Sequence, residues 1–170
     1  PRYHAHMAKK NKDKPEKPSG DGIRVIARNK KARHNYELIE KVEAGLKLVG
    51  TEVKSLREGR CSIEEAYVRL TDEGAEVVGM HIPEYRHGNL NNHDPYRPRR
   101  LLLQKRQLRK LRQRIEEKGL TVVPTSVYFA RGNAKLEIAV ARGKKTVDKR
   151  ADLKRRDQER EMKRALKEKY

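Results

Sequence analysis

The chain has 170 residues, 43 of them Lys or Arg against 24 Asp or Glu, which gives a formal net charge of +19. No stretch is apolar enough to span a bilayer, and a single cysteine, Cys61, excludes an intramolecular disulfide. A surplus of this size is spread along the chain (pI about 10.2) and destabilises a compact state unless it is neutralised. Nucleic acid is therefore the first candidate partner and an anionic membrane surface the second.

Residues 1–22 combine Pro1, Pro15, Pro18, Gly20 and Gly22 with many lysines, and are expected to form a disordered leader. His4-Ala5-His6-Met7 reads as an expression-tag remnant, with the natural start expected at Met7. Core-building apolar residues run from Ile23 to about Ala141. Tyr36–Val42 is rich in β-formers, and Leu46 and Leu48 share a face of the next segment. Thr51 is expected to cap a short helix through Arg57 that stops at Gly59. Tyr67–Leu70 runs into the turn signal Thr71-Asp72-Glu73-Gly74, and Glu76–Ile82 is a further strand. The spacing of Leu101, Leu108, Leu111 and Ile115 predicts a helix from Arg100 to Lys118. Thr121–Ala130 and Lys135–Val140 are strands joined by the turn Arg131-Gly132-Asn133.

Between Arg97 and Arg114 stand nine basic residues and no acidic one. A merely solvated helix face usually intersperses acids, so this stretch is read as a phosphate-gripping surface. Residues 143–170 hold twelve basic and six acidic residues with few apolar ones. Alone they bury too little to fold, whereas a partner would allow a helix.

About six short strands with two helices predict a mainly β fold, a small closed or partly closed barrel of OB type with added helices and a flexible basic C-terminal tail. The expected division is a leader over 1–22, an RNA-binding barrel over 23–142 and the tail over 143–170.

Several segments, in order, carry a resemblance to a known family. They are Ala27-Arg28-Asn29-Lys30-Lys31-Ala32-Arg33-His34-Asn35-Tyr36, Gly50-Thr51-Glu52-Val53-Lys54-Ser55-Leu56-Arg57 and His81-Ile82-Pro83-Glu84-Tyr85. They continue with Asn92-His93-Asp94-Pro95, Arg100-Leu101-Leu102-Leu103, Tyr128-Phe129, Ala141-Arg142-Gly143-Lys144-Lys145 and Asp148-Lys149-Arg150. Over about residues 23–150 the chain resembles SmpB, the small partner of transfer-messenger RNA (tmRNA). The resemblance implies an OB-type barrel without catalysis of its own and without a cofactor. It implies binding to the tRNA-like domain of tmRNA and delivery to the A site of stalled ribosomes, with elongation factor Tu as a partner. It also implies a tail that becomes helical in the empty mRNA channel, and a cytoplasmic location.

Site residues follow from the residues and the resemblance together. Asn29, Lys30, Lys31, Arg33 and His34 form a basic segment suited to phosphates and open base edges. Lys54, Ser55 and Arg57 flank Glu52, which has three readings open. It is a favourable charge at a helix N-terminus, an ion pair to a distant basic residue, or part of the tmRNA interface as the resemblance implies. Tyr85, Asn92 and His93 lie in a turn-rich stretch, where Tyr85 either stacks on an unpaired base or covers the barrel mouth. Arg97, Arg99, Arg100, Lys105 and Arg106 would follow an RNA backbone. The resemblance places Gly143, Lys144, Lys145, Val147, Asp148 and Arg150 near the small-subunit decoding centre. It places Lys149, Lys154, Arg155, Arg156, Arg160, Met162, Lys163 and Arg164 along the mRNA channel. Two positions depart from the family pattern. Gln104 stands where histidine is frequent, and Thr146-Val147 where an aromatic or histidine is frequent.

The alternatives are a basic OB-fold ribosomal or ribosome-assembly protein, a nuclease and a membrane-surface protein. Glu37, Glu40, Glu43, Glu64 and Glu65 offer a nuclease carboxylates but no legible acid–base constellation. His81, His87 and His93 lack a second cysteine and are a poor zinc set.

Overall fold

The computed structural model describes residues 22–117 and 119–168, so the predicted leader lies, apart from Gly22, outside the described residues. In chain order the elements are β1 (Ile23–Arg28), α1 (Lys30–Asn35), β2 (Tyr36–Leu46), α2 (Gly50–Arg57), β3 (Tyr67–Thr71) and β4 (Gly74–Val78). They continue with β5 (Arg99–Leu102), α3 (Lys105–Glu116), β6 (Leu120–Ala130), β7 (Asn133–Gly143) and α4 (Thr146–Glu168). Seven strands form one antiparallel sheet in the order β1-β6-β7-β2-β5-β4-β3.

The mainly β expectation holds, but the sheet is not closed. Its edge strands, β1 and β3, do not pair with one another. Register shifts at Val25/Ala27, Leu38/Glu40 and Pro124/Ser126 curl the sheet, as bulges do. The curl brings β3 against β6 through side-chain packing. Pro124 sits beside one of these bulges, where a strand tolerates a missing N–H.

One face carries the core. Ala44, Val122, Val127, Leu136, Ile138 and Val140 from the long strands meet Leu56, Ile63, Val77, Met80 and Ile82. α3 closes over them with Leu111, flanked by the half-buried Leu108 and Ile115. On the opposite face α1 is seated by Ala32 on Val123 and Ala141, with Tyr36 and Leu38 beside it.

The structure corrects four boundary expectations. Tyr36–Val42 and the segment after it are one strand, β2, through Leu46. α3 begins at Lys105, not Arg100. Arg99–Leu102 is β5, whose burial alternates in–out–in–out, so Leu101 enters the core from a strand. The seven-residue spacing of Leu101, Leu108 and Ile115 crosses a strand–helix boundary and only mimics one helical stripe. α2 begins two residues earlier than expected, with Val49 as its N-cap in place of Thr51. Within the 143–170 segment, expected as a basic tail able to become helical with a partner, Thr146–Glu168 forms α4, with the Arg155–Asp152 and Arg160–Asp157 pairs at three-residue spacing.

Candidate nucleic-acid interface

Glu52 lies in the first turn of α2 with no solvent exposure of its side chain. Four hydrogen bonds converge on its carboxylate. Arg97 donates from Nε to Oε1 at 3.1 Å and from Nη2 to Oε2 at 2.8 Å. Arg99 donates from Nε to Oε1 at 2.7 Å, and the Val49 N–H donates to Oε2 at 2.9 Å. Burial alone would push this carboxyl up, but the bonds from Arg97, Val49 and Arg99 outweigh it and hold the group below its ordinary range. Two of the three readings of Glu52 are therefore observed together: it stands in the first turn of α2 and accepts the Val49 N–H, and it is ion-paired to two distant arginines.

Arg99 has no exposed side-chain surface. Its remaining nitrogens donate to Met80 O at 2.6 Å and Pro95 O at 3.0 Å. Gly79 sets the path into Met80. Its φ is +79°, and a Cβ there would lie 2.8 Å from the Glu65 carbonyl. Arg97 differs from Arg99 in keeping 34% of its side chain exposed. The cluster thus buries one guanidinium and presents a second at the surface in a fixed bidentate orientation.

The loop after β4 is ordered by side chains that the sequence reading assigned to RNA. Asn92 brackets the Tyr85 backbone, accepting from its N–H at 2.9 Å and donating to its carbonyl at 2.7 Å. Ile82 O can only accept, so the His93 Nε2 at 2.9 Å carries a proton. His93 Nδ1 meets Thr51 Oγ1 at 2.9 Å on α2. Ser55 donates to Pro83 O at 2.7 Å. Tyr85 is half-buried, with Lys54 Nζ 5.5 Å from its ring centroid and His87 edge-on at 5.4 Å. Val49, Thr51, Lys54, Asn91, His93 and Arg97 line an open cleft of about 460 Å³ beside the Glu52 cluster.

α1 starts at Asn29, whose Oδ1 accepts from Ala32 N–H at 2.9 Å. Its Nδ2 donates to Ile63 O and Pro124 O, both at 3.0 Å. Asn29 is buried, and both of its Nδ2 hydrogens are spent on internal carbonyls. Lys30 and Arg33 are exposed and His34 is half-buried, while Lys31 is paired to Glu65 and Glu64. Arg57 and Lys105 are exposed, and Arg100 is exposed with one nitrogen on Glu73 O at 3.2 Å. On α3, Arg106 and Arg109 face solvent, whereas Lys110 and Arg114 pair with Glu40 and Arg112 ties down the β3–β4 turn at Thr71 O and Asp72 O.

At the far end of the molecule, Gly143 and Lys145 are exposed, as are Asp148, Arg150 and Val147. Lys144 is not free. It pairs with Asp152 and caps α1 at the Arg33 carbonyl, 3.2 Å away. Lys149 and Arg156 are half-buried, and Lys154, Arg155, Arg160, Met162, Lys163 and Arg164 are exposed.

Asn29, Glu52, Ser55 and Arg99 are buried, with polar side-chain atoms engaged in internal bonds. Four pairings were not found from the sequence: Arg99 with Glu52, Lys31 with Glu65, Thr51 with His93 and Lys144 with Asp152. Each joins residues remote in sequence or placed by a loop, and no local spacing marks it.

The carboxylates considered for a nuclease are scattered. Glu40 holds Lys110 and Arg114, Glu43 holds Lys135 and Tyr128, and Glu64 and Glu65 hold Lys31. The three histidines also separate. His81 packs on Tyr96, His87 meets Tyr85 and His93 is buried. Among the described residues no group of three His, Cys, Asp or Glu is placed to hold a metal ion. Burial pushes the Cys61 thiol up to about 12 against a smaller opposing effect of Arg99, so it is a thiol and not a thiolate at neutral pH. No helix of the described residues is long and apolar enough to cross a membrane.

A cationic sheet with helices on its faces, a buried carboxylate that presents an arginine, and a long basic helix define the class of proteins that bind polyanions through a preformed surface. The comparison with known families narrows this class. The family model "SmpB protein" matches residues 26–168. The SsrA-binding protein of Oleidesulfovibrio alaskensis is 53% identical over 150 residues, 88% of this chain and 97% of the relative. That of Mycobacterium tuberculosis is 50% identical over 150 residues, 88% of this chain and 94% of the relative. A chain from a solved structure of tmRNA-SmpB in the bacterial ribosome superposes with a TM-score of 0.60 at 45% identity, covering 71% of this chain and 85% of that one. The chain belongs to the SmpB family.

Proposed function

We propose that this protein binds the tRNA-like domain of tmRNA and brings it to the A site of stalled ribosomes in trans-translation. The observation that carries the reading is the structural match at 45% identity to a chain solved as tmRNA-SmpB in the ribosome. The residue chemistry supports it independently. Arg97 is held by Glu52 through Nε and Nη2, which leaves the outer edge of a partly exposed guanidinium for a phosphate oxygen, and Lys54, Tyr85 and the adjoining cleft offer a cation and an aromatic face to an unpaired nucleotide. Asn29, Ser55, Asn92, His93 and Arg99 act one step back, by holding α1, α2 and the loop in register. Lys30, Arg33, Arg57, Arg100, Lys105, Arg106 and Arg109 supply the less specific grip on phosphates.

The protein acts by binding energy alone, in the cytoplasm, with elongation factor Tu as the delivery partner. Its sheet is read as an OB-type barrel left open at the β1–β3 seam. The 143–170 segment is read as the ribosomal end of the molecule. Exposed Gly143, Lys145, Val147, Asp148 and Arg150 face the decoding centre, and the basic helix beyond them follows the mRNA channel. Val147 is too small to stack as an aromatic would, so the cationic neighbours carry that contact.

The phosphate grip is tested by the triple variant Lys105→Ala, Arg106→Ala, Arg109→Ala. Each lost phosphate contact lowers the slope of log affinity against log salt by about 0.7–0.9. The triple variant is expected to lose roughly two units of slope on the tRNA-like domain and to weaken other RNAs in parallel. A slope equal to that of the unmodified protein would remove α3 from the interface.

A further inference from the structure

The cations of α3 fall into two sets. Lys105, Arg106 and Arg109 are exposed, whereas Lys110, Arg112 and Arg114 are engaged by the protein itself. Arg112 is spent on the carbonyls of the β3–β4 turn. Lys110 and Arg114 turn toward β2, where one carboxylate serves both. Glu40 Oε1 lies 2.6 Å from Lys110 Nζ, and Glu40 Oε2 lies 4.0 Å from Arg114 Nε. Arg114 also meets Glu117 at 3.4 Å, so Lys110 is the cation that depends most on Glu40.

These two cations are not hidden. Lys110 keeps 59% and Arg114 39% of the side chain in solvent, against 28% for Glu40. With Arg106 they line an open cleft of about 380 Å³ between β2 and α3. Arg106, Lys110 and Arg114 stand four residues apart and so on one face, a row about 12 Å long. Such a row holds any RNA backbone, whatever its sequence. Ion pairs this exposed add little to stability, and the buried Leu111 already seats the helix in the core. Holding α3 in place therefore leaves the position of Glu40 unexplained.

We propose that Glu40 is a specificity-determining residue: it occupies the place between Lys110 and Arg114 that a phosphate would otherwise take. The phosphate grip of α3 is thereby confined to Lys105, Arg106 and Arg109, a role that rests on the reading of α3 as part of the RNA interface. The restriction discriminates because of register. The tRNA-like domain is fixed by its contacts at Arg97 and Tyr85 and cannot shift to use further cations. An RNA without those contacts slides until it meets as many cations as are free.

The test compares salt titrations of the full chain on an ordinary folded tRNA and on the tRNA-like domain. Glu40→Gln is expected to steepen the slope of log affinity against log salt on the ordinary tRNA, by about 0.7–0.9 for each cation it takes up. Affinity for that tRNA rises severalfold at physiological salt, affinity for the tRNA-like domain changes little, and the preference shrinks severalfold. Glu116→Gln makes the same charge change at an exposed residue of the same helix and leaves the slope as it was. Lys110→Ala leaves the slope unchanged while Glu40 is present, and removes the added slope in the Glu40→Gln background. A Glu40→Gln slope no steeper than that of Glu116→Gln, or an equal gain on both RNAs, would overturn the proposal. So would a loss of slope from Lys110→Ala in the otherwise unmodified protein. The triple variant of Lys105, Arg106 and Arg109 separates the two readings. If its slope falls while Glu40→Gln gains nothing, only the role of Glu40 fails; if its slope is unchanged, α3 leaves the interface and the role of Glu40 goes with it.

Discussion

Glu52→Ala is expected to destabilise the fold by about 3–5 kcal/mol, because it leaves the fully buried Arg99 guanidinium without its counter-charge. For a chain of this size that corresponds to a fall in Tm of roughly 10 °C. The same substitution removes the bidentate anchor of Arg97 and so weakens the tRNA-like domain more than an unrelated RNA of equal length. Arg97→Ala separates the two effects. It leaves Glu52 bonded to Arg99 and Val49, so its stability loss is the smaller one while its binding loss persists. Thermal unfolding and paired binding curves measure both. An unchanged Tm in Glu52→Ala, or equal losses on the two RNAs, would contradict the cluster's assigned role.

The pH dependence of this cluster has a definite sign. The folded carboxyl is held below the ordinary value of 4.5. Its stabilising contribution is therefore complete above about 4.5 and is lost as pH falls through the depressed folded value. The stability gap between the unmodified protein and Glu52→Gln narrows on acidification below that point and is constant above it.

Truncation after Arg150 is expected to abolish tagging on stalled ribosomes while leaving affinity for the tRNA-like domain nearly intact. The cut removes all of α4 beyond its first turn, including the cations Lys154, Arg155, Arg156, Arg160, Lys163 and Arg164. It leaves the Glu52 cluster, the Tyr85 loop and α3 untouched. A truncated protein that loses its affinity for the tRNA-like domain would contradict this division of labour, and so would one that still tags.

The strands that were legible in the sequence are those with a local signature. β6 and β7 are long, β-branched and joined by a recognisable turn, and β3 ends at Thr71-Asp72-Glu73-Gly74. β5 was not legible. Arg99 and Arg100 look like the first turn of a cationic helix, and only their partners reveal the strand: Glu52 and Met80 for one, the Glu73 carbonyl for the other. α1 is too short to show a period, and its cap at Asn29 depends on bonds to Ile63 and Pro124, 34 and 95 residues away. The candidate site divides in the same way. Its cationic character and its residues were visible in composition and in motif. Which of them face solvent was not, because the burial of Glu52 and Arg99 depends on a contact across 47 residues. The tail's few apolar residues carry no stripe that predicts a helix by itself, and the Lys144–Asp152 pair has no helical spacing that marks it in the sequence.

The most direct measurement compares the tRNA-like domain of tmRNA with an ordinary folded tRNA across a salt titration. Both affinities fall as salt rises, because both RNAs are held through phosphates. The account predicts a large preference for the tRNA-like domain that persists at physiological salt, where backbone contacts alone no longer discriminate. Equal affinities that collapse together would contradict it and would leave a basic protein without a chosen RNA.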